Sequence, residues 1–424
     1  MFRKQGQNLI RRTLATSSSR KNDVRLEPYD SARMTDIGTR RIFDEDHDMF
    51  RETVRKWFDN VVKPEHHKWE QTGTVPKEIW EDAGANGLLG CQTSDEFGGI
   101  GADVLHAAIV WEEQSYSYAS GPGFALHSDI CMPYIEHFGT LEQKQKYLAA
   151  MTEGKCISAI AMTEPSAGSD LQGIRTYAKR DGDDWILNGS KTFITNGQNA
   201  DLVIVVAITN PEAKSNAHGI SLFLIEEGDE GFSKGKNLKK LGMKAQDTSE
   251  LFFEDVRVPM DRIIGGEKGL NKGFYMLMSE LPQERLLIGA MSVAKAEAMF
   301  ETTRDYIMDR KAFGGPIAKM QSIRQDMAHL KTEISMGRAF TDVCIDQLQN
   351  GILTTESASM NKYSMTELEG RVADKCLQLH GGWGYMWEYD ICRAYADARV
   401  QRIYGGSNEI MKEIISRNIV KPPQ

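Results

Sequence analysis

A glutamate near the C-terminus lies in a turn whose composition is typical of a binding site. The stretch QRIYGGSNEIM runs from Gln401 to Met411 and places two adjacent glycines before a polar triplet that ends in Glu409. Adjacent glycines let the backbone approach a ligand with no Cβ in the way. The stretch therefore predicts part of a binding site, and it raises the question of which residue would move a proton there.

Two further stretches could present groups to a flat polar ligand. AMTEPSAGSDL, residues 161–171, offers hydrogen-bonding side chains among small residues. KTFITNG follows, and its Phe193 and Thr195 would face the same side of a strand. A ring system could stack on Phe193 and hydrogen-bond to Thr195. A plain connecting loop and a core phenylalanine are the alternatives for these two stretches.

Two glycine-rich turns add groups suited to a phosphorylated ligand. DRKAFGGPI places Arg310 before a Gly-Gly-Pro turn, and a planar guanidinium is suited to a diphosphate. QLHGGWGY, residues 378–385, is a second polar turn with adjacent glycines. Taken alone, Arg310 is more simply a solvated cation at a helix end. The succession of such turns in one chain favours a ligand site.

Cysteine and histidine form no recognisable metal-ligand or redox motif. The six cysteines are scattered without a CxxC pair, and the nine histidines include no HExxH. This pattern fits reduced thiols in an intracellular protein and argues against a disulfide scaffold or a zinc site. No GxGxxG is present, which disfavours a Rossmann nucleotide site. We expect no bound metal.

The N-terminal segment differs from the rest of the chain in charge. Residues 1–25 carry seven basic residues and one acidic residue, which gives this segment a net charge of +6. The whole chain has a net charge of −9, so the remaining residues carry −15. They are also rich in serine and threonine, which is typical of a mitochondrial transit peptide; a disordered basic tail is the alternative. We predict a transit peptide and linker over residues 1–28. The acidic remainder argues against nucleic-acid binding, and no apolar run is long enough to span a bilayer.

The hydrophobic periodicity of the sequence, which indicates the elements that must position these motifs, changes twice along the chain. The N-terminal part is mostly helical, with an amphipathic stripe that includes Phe50, Val54 and Trp57. The middle reads as short strands, with Asp181-Gly182 and Asn188-Gly189 as predicted hairpin turns. The helical period then returns to the end, and Pro282 predicts a break in a long helix. The order is therefore helices, strands, helices.

Together, MTEPSAGSD, KTFITNG, RKAFGGPI, QLHGGWGY and IYGGSNEI resemble the ordered signatures of the acyl-CoA dehydrogenase family. The resemblance covers residue 43 to the end. It implies an α+β multidomain fold with an N-terminal α-helical domain over 43–156, a middle β-barrel-like domain over 157–268 and a C-terminal four-helix bundle over 269–424. It also implies FAD, an acyl-CoA substrate, electron transfer flavoprotein as partner, and a homotetramer in the mitochondrial matrix.

The resemblance further implies roles for individual positions. The flavin ring would be surrounded by Met162, Thr163, Gly168, Ser169, Phe193, Ile194 and Thr195. The diphosphate and adenine end would be held, from the neighbouring subunit, by Arg310, Gln321, Gln378, Leu379, His380, Gly381 and Gly382. FAD would be contacted again by Ser407, Asn408 and Glu409. Substrate contacts are expected at Ser169, Ala217, His218, Tyr275, Pro282, Gln283, Arg285, Gly405 and Gly406.

The position of the base departs from the common family pattern. Many members place a glutamate directly after the Ile-Tyr of the C-terminal motif, and here that position is Gly405. Glu409 lies four residues on, where the family contacts FAD. The resemblance implies that a minority of the family, the long-chain and isovaleryl members, places its base at the position of Glu284 in SELPQERLLIG, just before an arginine. We predict Glu284 as the base that removes the α-proton of the thioester; an ordinary helix-surface acid is the alternative.

Three neighbours of the predicted base carry hypotheses of their own. Gly405 would leave room at the α-carbon, and a nearby backbone N–H could donate to the thioester carbonyl oxygen, where charge develops. Arg285 could tune the pKa of Glu284. Pro282 could widen the floor of the pocket by breaking the helix.

The pair ELPQERL and IYGGSNEI favours the long-chain members of the family. The predicted reaction is α,β-dehydrogenation of long-chain fatty acyl-CoA to trans-2-enoyl-CoA, the first step of mitochondrial β-oxidation. An isovaleryl or other branched-chain enzyme ranks lower, because its C-terminal motif differs. Gly405 motivates a non-catalytic acyl-CoA-binding relative, which the retained Glu284 disfavours. An oxidase that passes electrons to oxygen is disfavoured by the short chain and the leader.

Overall fold

The computed structural model describes residues 40–420, and the transit peptide predicted over residues 1–28 lies outside the described residues. The described chain is helical up to residue 152, then forms a sheet, then returns to helices. This is the order that the two changes of period predict.

The N-terminal region packs its helices around one that is buried on nearly all sides. The α-helices are α1 (Glu45–Trp57), α2 (Lys63–Thr72), α3 (Lys77–Ala85), α4 (Val104–Tyr116), α5 (Met132–Phe138) and α6 (Leu141–Thr152). The central helix α4 begins at Asp103, whose carboxylate accepts from the N–H groups of Leu105 and His106. Helix α5 is preceded by a π-helical turn, Leu126–Cys131, and such wide turns are frequent at functional sites.

The middle region is one curled seven-stranded sheet. Its strands are β1 (Ser158–Ala161), β2 (Tyr177–Asp181), β3 (Asp184–Thr195), β4 (Leu202–Ile208), β5 (Ile220–Glu226), β6 (Phe232–Asn237) and β7 (Thr248–Pro259). The hairpin predicted at Asp181-Gly182 is confirmed, because β2 and β3 pair on either side of it. The second predicted turn is wrong: Asn188 and Gly189 lie inside β3, where a β-bulge absorbs the glycine.

The C-terminal region is a helical bundle. Its helices are α7 (Gly273–Asp309), α8 (Gln321–Gln349), α9 (Thr355–His380), α10 (Asp390–Ala398) and α11 (Asn408–Ile419), with a two-residue strand pair, β8 (Lys311–Ala312) and β9 (Gly315–Pro316), between α7 and α8. The predicted break at Pro282 is wrong, because α7 runs unbroken for 37 residues through it. A proline removes one N–H donor, and the packing of this long helix on its neighbours outweighs that loss.

The long helix α7 connects the three regions. It packs against α4 of the N-terminal region and against α8 and α9 of the bundle, and its first residues lie beside the sheet. The residues along α7 therefore contact elements of all three regions. Within residues 40–420, every helix is too short or too polar to cross a membrane.

Candidate active site

A cavity of about 500 Å³ opens where the three regions meet. Most of the motifs predicted to surround a flavin and a thioester contribute to its walls: Met162, Thr163, Gly168, Ser169, Phe193, Ile194, Thr195, Glu284, Arg285, Gly405 and Gly406. These residues come from the loop after β1, the end of β3, helix α7 and the turn before α11. Segments far apart in sequence thus form one site.

The β-sheet side of the cavity presents an aromatic ring to solvent. Phe193 is 68% exposed, which is unusual for phenylalanine, and its backbone has a positive φ of 60°. A positive φ at a bulky residue is strained, and such strain clusters at binding sites. In the loop after β1, which lines the same cavity, a Cβ added at Gly168 would meet nothing within 4 Å. The exposed ring beside this open loop fits a flat ring system such as an isoalloxazine.

A buried ion pair holds the loop that faces Phe193. Lys191 is completely buried, and its Nζ donates to the carbonyl oxygen of Met162 at 3.1 Å and to Glu164 Oε1 at 2.8 Å. The same carboxylate accepts from the backbone N–H groups of Arg175 and Thr176. Burial lowers the pKa of Lys191 to about 8, and the Glu164 charge opposes this shift. The pair therefore fixes the loop to the sheet.

Glu284 belongs to the same cavity lining and comes from helix α7. It is only 4% exposed, and Tyr134 donates a hydrogen bond of 2.8 Å to its Oε1. Burial raises the pKa of Glu284 to about 7; the Glu280 charge adds to this rise, while the Tyr134 hydrogen bond and Arg285 oppose it. A carboxyl group with this pKa is suited to general-base catalysis near neutral pH.

Glu409 has the opposite environment. It is exposed in the first turn of α11, and its pKa is lowered by its own backbone N–H and by the hydroxyl of Ser407. It is also absent from the cavity lining. A solvated carboxylate with a lowered pKa is a weak base, so the geometry favours Glu284 over Glu409 for proton abstraction.

The Gly405-Gly406 turn closes the cavity in a conformation that only glycine adopts easily. Gly405 has a φ of +62°, and a Cβ there would lie 2.3 Å from Cδ1 of Ile288. The fully buried Lys362 donates to the carbonyl oxygen of Gly406 at 2.8 Å and to Asn408 Oδ1 at 3.1 Å. The turn is thus anchored from helix α9, and position 405 places no side chain in the cavity.

A second cavity, of about 540 Å³, lies at the ends of α7 and α9. Six of the residues predicted for the diphosphate and adenine line it: Arg310, Gln378, Leu379, His380, Gly381 and Gly382. Gln321, the seventh, begins α8 and is not part of the lining. The ring of Tyr306 stacks on His380 at 4.1 Å between centroids, which makes an aromatic wall.

Several residues predicted to contact ligands lie outside the lining of either cavity. They are Ala217, His218, Tyr275, Pro282, Gln283, Ser407, Asn408 and Glu409. Gln283 instead donates to the carbonyl oxygen of Asp129 at 2.9 Å, and Asn408 is buried against Thr366. Their roles toward a ligand stay predictions.

Sequence reasoning missed the apolar part of the first cavity. It is lined by Leu126, Ile130, Leu281, Leu287, Ile288 and Met291, with Gln114 and Tyr404. The helical period marks Leu287, Ile288 and Met291 as core residues, and nothing in the sequence shows that they border a void. Tyr134 was missed as well, because no motif marks a tyrosine that meets a glutamate 150 residues away.

One histidine cluster in the described residues has metal-ligand spacing. Ligand atoms of His47, Asp103 and His106 lie within 4.8 Å of one another. The Asp103 carboxylate lies 2.8 Å from Nδ1 of His106 and 3.3 Å from Nε2 of His47, besides capping α4. Hydrogen bonding accounts for this arrangement, and the absence of a metal stays a prediction.

Three family models match the chain in the order of its three regions. They describe the N-terminal domain of acyl-CoA dehydrogenase over residues 44–155, the middle domain over 159–256 and the C-terminal domain over 271–420. Since together they cover most of the chain, and since fold and site agree with them, this protein belongs to the acyl-CoA dehydrogenase family.

The mouse (Mus musculus) mitochondrial long-chain specific acyl-CoA dehydrogenase is a close relative. It is 60% identical over 398 residues, which are 94% of this chain and 92% of the mouse protein. Among solved structures, an acyl-CoA dehydrogenase from Geobacillus kaustophilus superposes with a TM-score of 0.87 at 44% identity, over 89% of this chain and 99% of that one. A glutaryl-CoA dehydrogenase from Mycobacterium smegmatis, solved in complex with FADH2, gives a TM-score of 0.85 at 28% identity, over 91% and 97% of the two chains.

Proposed function

We propose that this protein is an FAD-dependent dehydrogenase of long-chain acyl-CoA thioesters, with Glu284 as the base. The observation that carries the proposal is the Glu284 carboxyl group. It is nearly excluded from solvent, has a pKa of about 7, and lines the same cavity as the exposed Phe193 ring. The 60% identity to the mouse long-chain enzyme supports the chain-length class.

The residues of this chain would act on the thioester in a defined order. The apolar wall formed around Leu126, Ile130 and Met291 would hold the acyl chain and exclude water from the reacting carbons. Glu284 Oε would then take the α-proton. Bound FAD would supply the hydride acceptor for the β-hydrogen. The α-carbon would lie between Glu284 and the sheet side of the cavity, so that the two hydrogens leave from opposite faces.

Stabilisation of the thioester oxygen would come from the backbone. The turn at Gly405 and Gly406 lines the cavity without side chains, so its N–H groups can approach a ligand closely. Arg285, which also lines the cavity, lowers the pKa of Glu284 through its charge and would keep part of the base ionised at neutral pH. Helix α7 continues through Pro282, so a break in the helix at this residue is not what shapes the pocket floor.

The two cavities support the predicted division of the cofactor between subunits. The first would hold the flavin ring beside Met162, Thr163 and Phe193, and the second would hold the diphosphate and adenine beside Arg310 and the Gln378–Gly382 turn. Both present glycine-rich backbone and aromatic walls. We propose a homotetramer in which the second cavity of one subunit completes the first cavity of its neighbour.

We further propose the mitochondrial matrix as the location and electron transfer flavoprotein as the electron acceptor. The composition of residues 1–28 and the mitochondrial designation of the mouse relative support the location. The acceptor follows from the family resemblance. Residues 1–28 are a proposed transit peptide, to be removed before the mature protein assembles.

Anaerobic mixing of the purified protein with thioesters of different chain length tests the function. We expect palmitoyl-CoA to bleach the flavin absorbance rapidly, and butyryl-CoA and isovaleryl-CoA to bleach it slowly. Fastest bleaching by isovaleryl-CoA would move the protein to the branched-chain class. No bleaching by any thioester, with flavin bound, would support a binding-only relative. Rapid reoxidation by air would indicate an oxidase.

A further inference from the structure

Two acidic residues of helix α7 face two polar residues of helix α5. Glu280 and Glu284 are one helical turn apart on α7, and Tyr134 and His137 are one turn apart on α5. Tyr134 donates to Glu284 at 2.8 Å, and Nδ1 of His137 lies 2.9 Å from Oε1 of Glu280. The four side chains form two parallel pairs across one helix–helix contact.

The two pairs differ in their access to water. The inner pair, Tyr134 and Glu284, is buried, and Glu284 borders the cavity. In the outer pair Glu280 is buried, while the side chain of His137 is 54% exposed. Solvent can therefore exchange a proton with His137, and the charge of the outer pair lies one turn from the proposed base. Unit charges at such a separation interact appreciably in a partly buried site.

We propose that Tyr134 and the Glu280–His137 pair are positioning residues for the proposed base Glu284. Tyr134 holds one carboxylate oxygen of Glu284 in place, and His137 determines how much of the Glu280 charge the base experiences. This inference rests on the proposed function only in naming Glu284 as the base. The pairing of the helices is independent of that role.

The sign of the effect follows from charge. A negative Glu280 disfavours the ionised form of Glu284, so its charge raises the pKa of Glu284. A protonated His137 offsets that charge, and its own pKa is raised by the hydrogen bond to Glu280. Other charged or titratable groups also face the two pairs: Glu136 and Lys144 act on His137, and Arg285 and Cys131 lie near Glu284.

Substitution of each member of the outer pair should move the titration of Glu284 in opposite directions. Glu280→Gln keeps the shape of the side chain, removes its charge and should lower the pKa of Glu284 by on the order of half a pH unit or more. His137→Gln removes the positive charge and should raise it. In a protein that already carries Glu280→Gln, adding His137→Gln should shift the pKa of Glu284 by less than half of the shift that His137→Gln causes alone. The reason is that the charge that His137 offsets is gone.

His329→Gln is the matched control. His329 is another exposed histidine that pairs with a glutamate, with Nε2 3.4 Å from Oε2 of Glu333 on helix α8, away from the cavity lining. It should leave the titration of Glu284 unchanged. Tyr134→Phe should raise the pKa of Glu284, since the lost hydrogen bond favours the charged form. Because His137 is half exposed, its variant is expected to fold even where a buried substitution does not.

Two readouts on the flavin-loaded protein decide the proposal. The first is the pH dependence of kcat/KM. The second is the proton uptake on binding of an unreactive alkyl thioether of CoA, obtained by titration calorimetry in buffers of different ionisation heat. The ligand should desolvate Glu284 and cause proton uptake that vanishes in Glu284→Gln. The proposal is supported if Glu280→Gln and His137→Gln shift the titration of Glu284 in opposite directions in both readouts. Unshifted profiles in variants that keep normal substrate binding overturn it. Proton uptake that shifts as expected in a protein with no dehydrogenase activity would refute the proposed function alone.

Discussion

The two candidate glutamates show how the environment of a residue decides its chemistry. Glu284 is buried beside apolar side chains, and its pKa rises to about 7. Glu409 lies exposed at a helix N-terminus, and its pKa falls below the usual value. A carboxyl group takes a proton from carbon more readily as its pKa approaches the working pH. The same residue type is thus suited to catalysis at one position and to the positive N-terminal end of a helix at the other.

Gly405→Ala should damage the site through a contact as well as through backbone strain. A left-handed φ costs an alanine about 1–2 kcal/mol, and the added Cβ would also press on Ile288. Gly182→Ala is the control, because Gly182 has a φ of +64° and open space around it. We expect a larger fall in thermal midpoint and in kcat/KM at position 405, with partial recovery when Ile288→Val is added. Equal losses in the two alanine variants would contradict this account of Gly405.

At the residue scale, the sequence predicts functional residues that belong to motifs. It misses functional residues whose role depends on a contact between distant parts of the chain. Gly405 and Glu284 could be recognised because each belongs to a patterned stretch. Tyr134 could not, since its hydrogen bond joins helices that are distant in the chain. The anchoring of the glycine turn by Lys362 is invisible for the same reason.

Strand β3 orients the side chains on the side of the cavity that is predicted to hold the flavin. A register shift between Lys191 and Ile194 interrupts its pairing with β7, and Phe193 lies within the shift. The irregular backbone presents the ring to the cavity, while Lys191 points inward to the loop after β1. A β-bulge changes the direction of the side chains near it, whereas a regular strand would not place both side chains in this way.

Lys191→Met should loosen the loop after β1. The substitution leaves Glu164 without its counter-charge in a buried position, and breaking one side of such a pair costs about 3–5 kcal/mol. We expect a lower thermal midpoint and a lower flavin content in the purified protein, with recovery in Lys191→Met combined with Glu164→Gln. Lys68→Met, at an exposed pair with Glu65, should lose less than about 1 kcal/mol. Comparable losses at Lys68 and Lys191 would rule out the anchoring role.

At the scale of helices and strands, the sequence predicts the type of an element better than the points where the element is interrupted. Strands β4 and β5 coincide with the apolar runs at residues 202–208 and 220–226, which turn residues bound in the sequence as expected for strands. Asn188-Gly189 and Pro282 gave the wrong prediction because local preference indicates a turn or a break, whereas tertiary packing continues the strand and the helix.

Across the whole molecule, a buried ion network joins the N-terminal region to the bundle. Glu112 of α4 is completely buried and accepts from Arg40 and from Arg338 of α8, each at 2.7 Å. Arg338 also pairs with Glu297 of α7 at 2.6 Å. Such a network fixes how α4, α7 and α8 meet, and of these helices α4 and α7 contribute residues to the lining of the active-site cavity. No sequence pattern predicts which charges become partners inside the protein.

The folded protein should lose stability below about pH 6.5 because a buried histidine must stay neutral. His66 accepts the backbone N–H of Gly121, and burial lowers its pKa to about 3. Between about pH 6.5 and 3 the unfolded chain binds the proton and the folded chain does not, so stability falls as pH falls. The loss should reach about 2 kcal/mol at pH 5.

His66→Gln should flatten this acid dependence, since an amide oxygen can accept from Gly121 and does not titrate near pH 5. The measurement is the thermal midpoint from pH 7 to pH 5. The neighbouring His67→Gln, at an exposed side chain, is the control and should keep the slope of the unmodified protein. An equal slope in the two variants would show that His66 is not the titrating group.

The identity of the base is tested most directly by anaerobic reduction with palmitoyl-CoA. The rate of flavin bleaching, normalised to bound flavin, is compared among the unmodified protein, Glu284→Gln and Glu409→Gln. We predict a rate about 10²–10⁴-fold lower in Glu284→Gln and a rate within about tenfold of normal in Glu409→Gln. Undiminished bleaching in Glu284→Gln, or a loss confined to Glu409→Gln, would contradict the assignment of the base to helix α7.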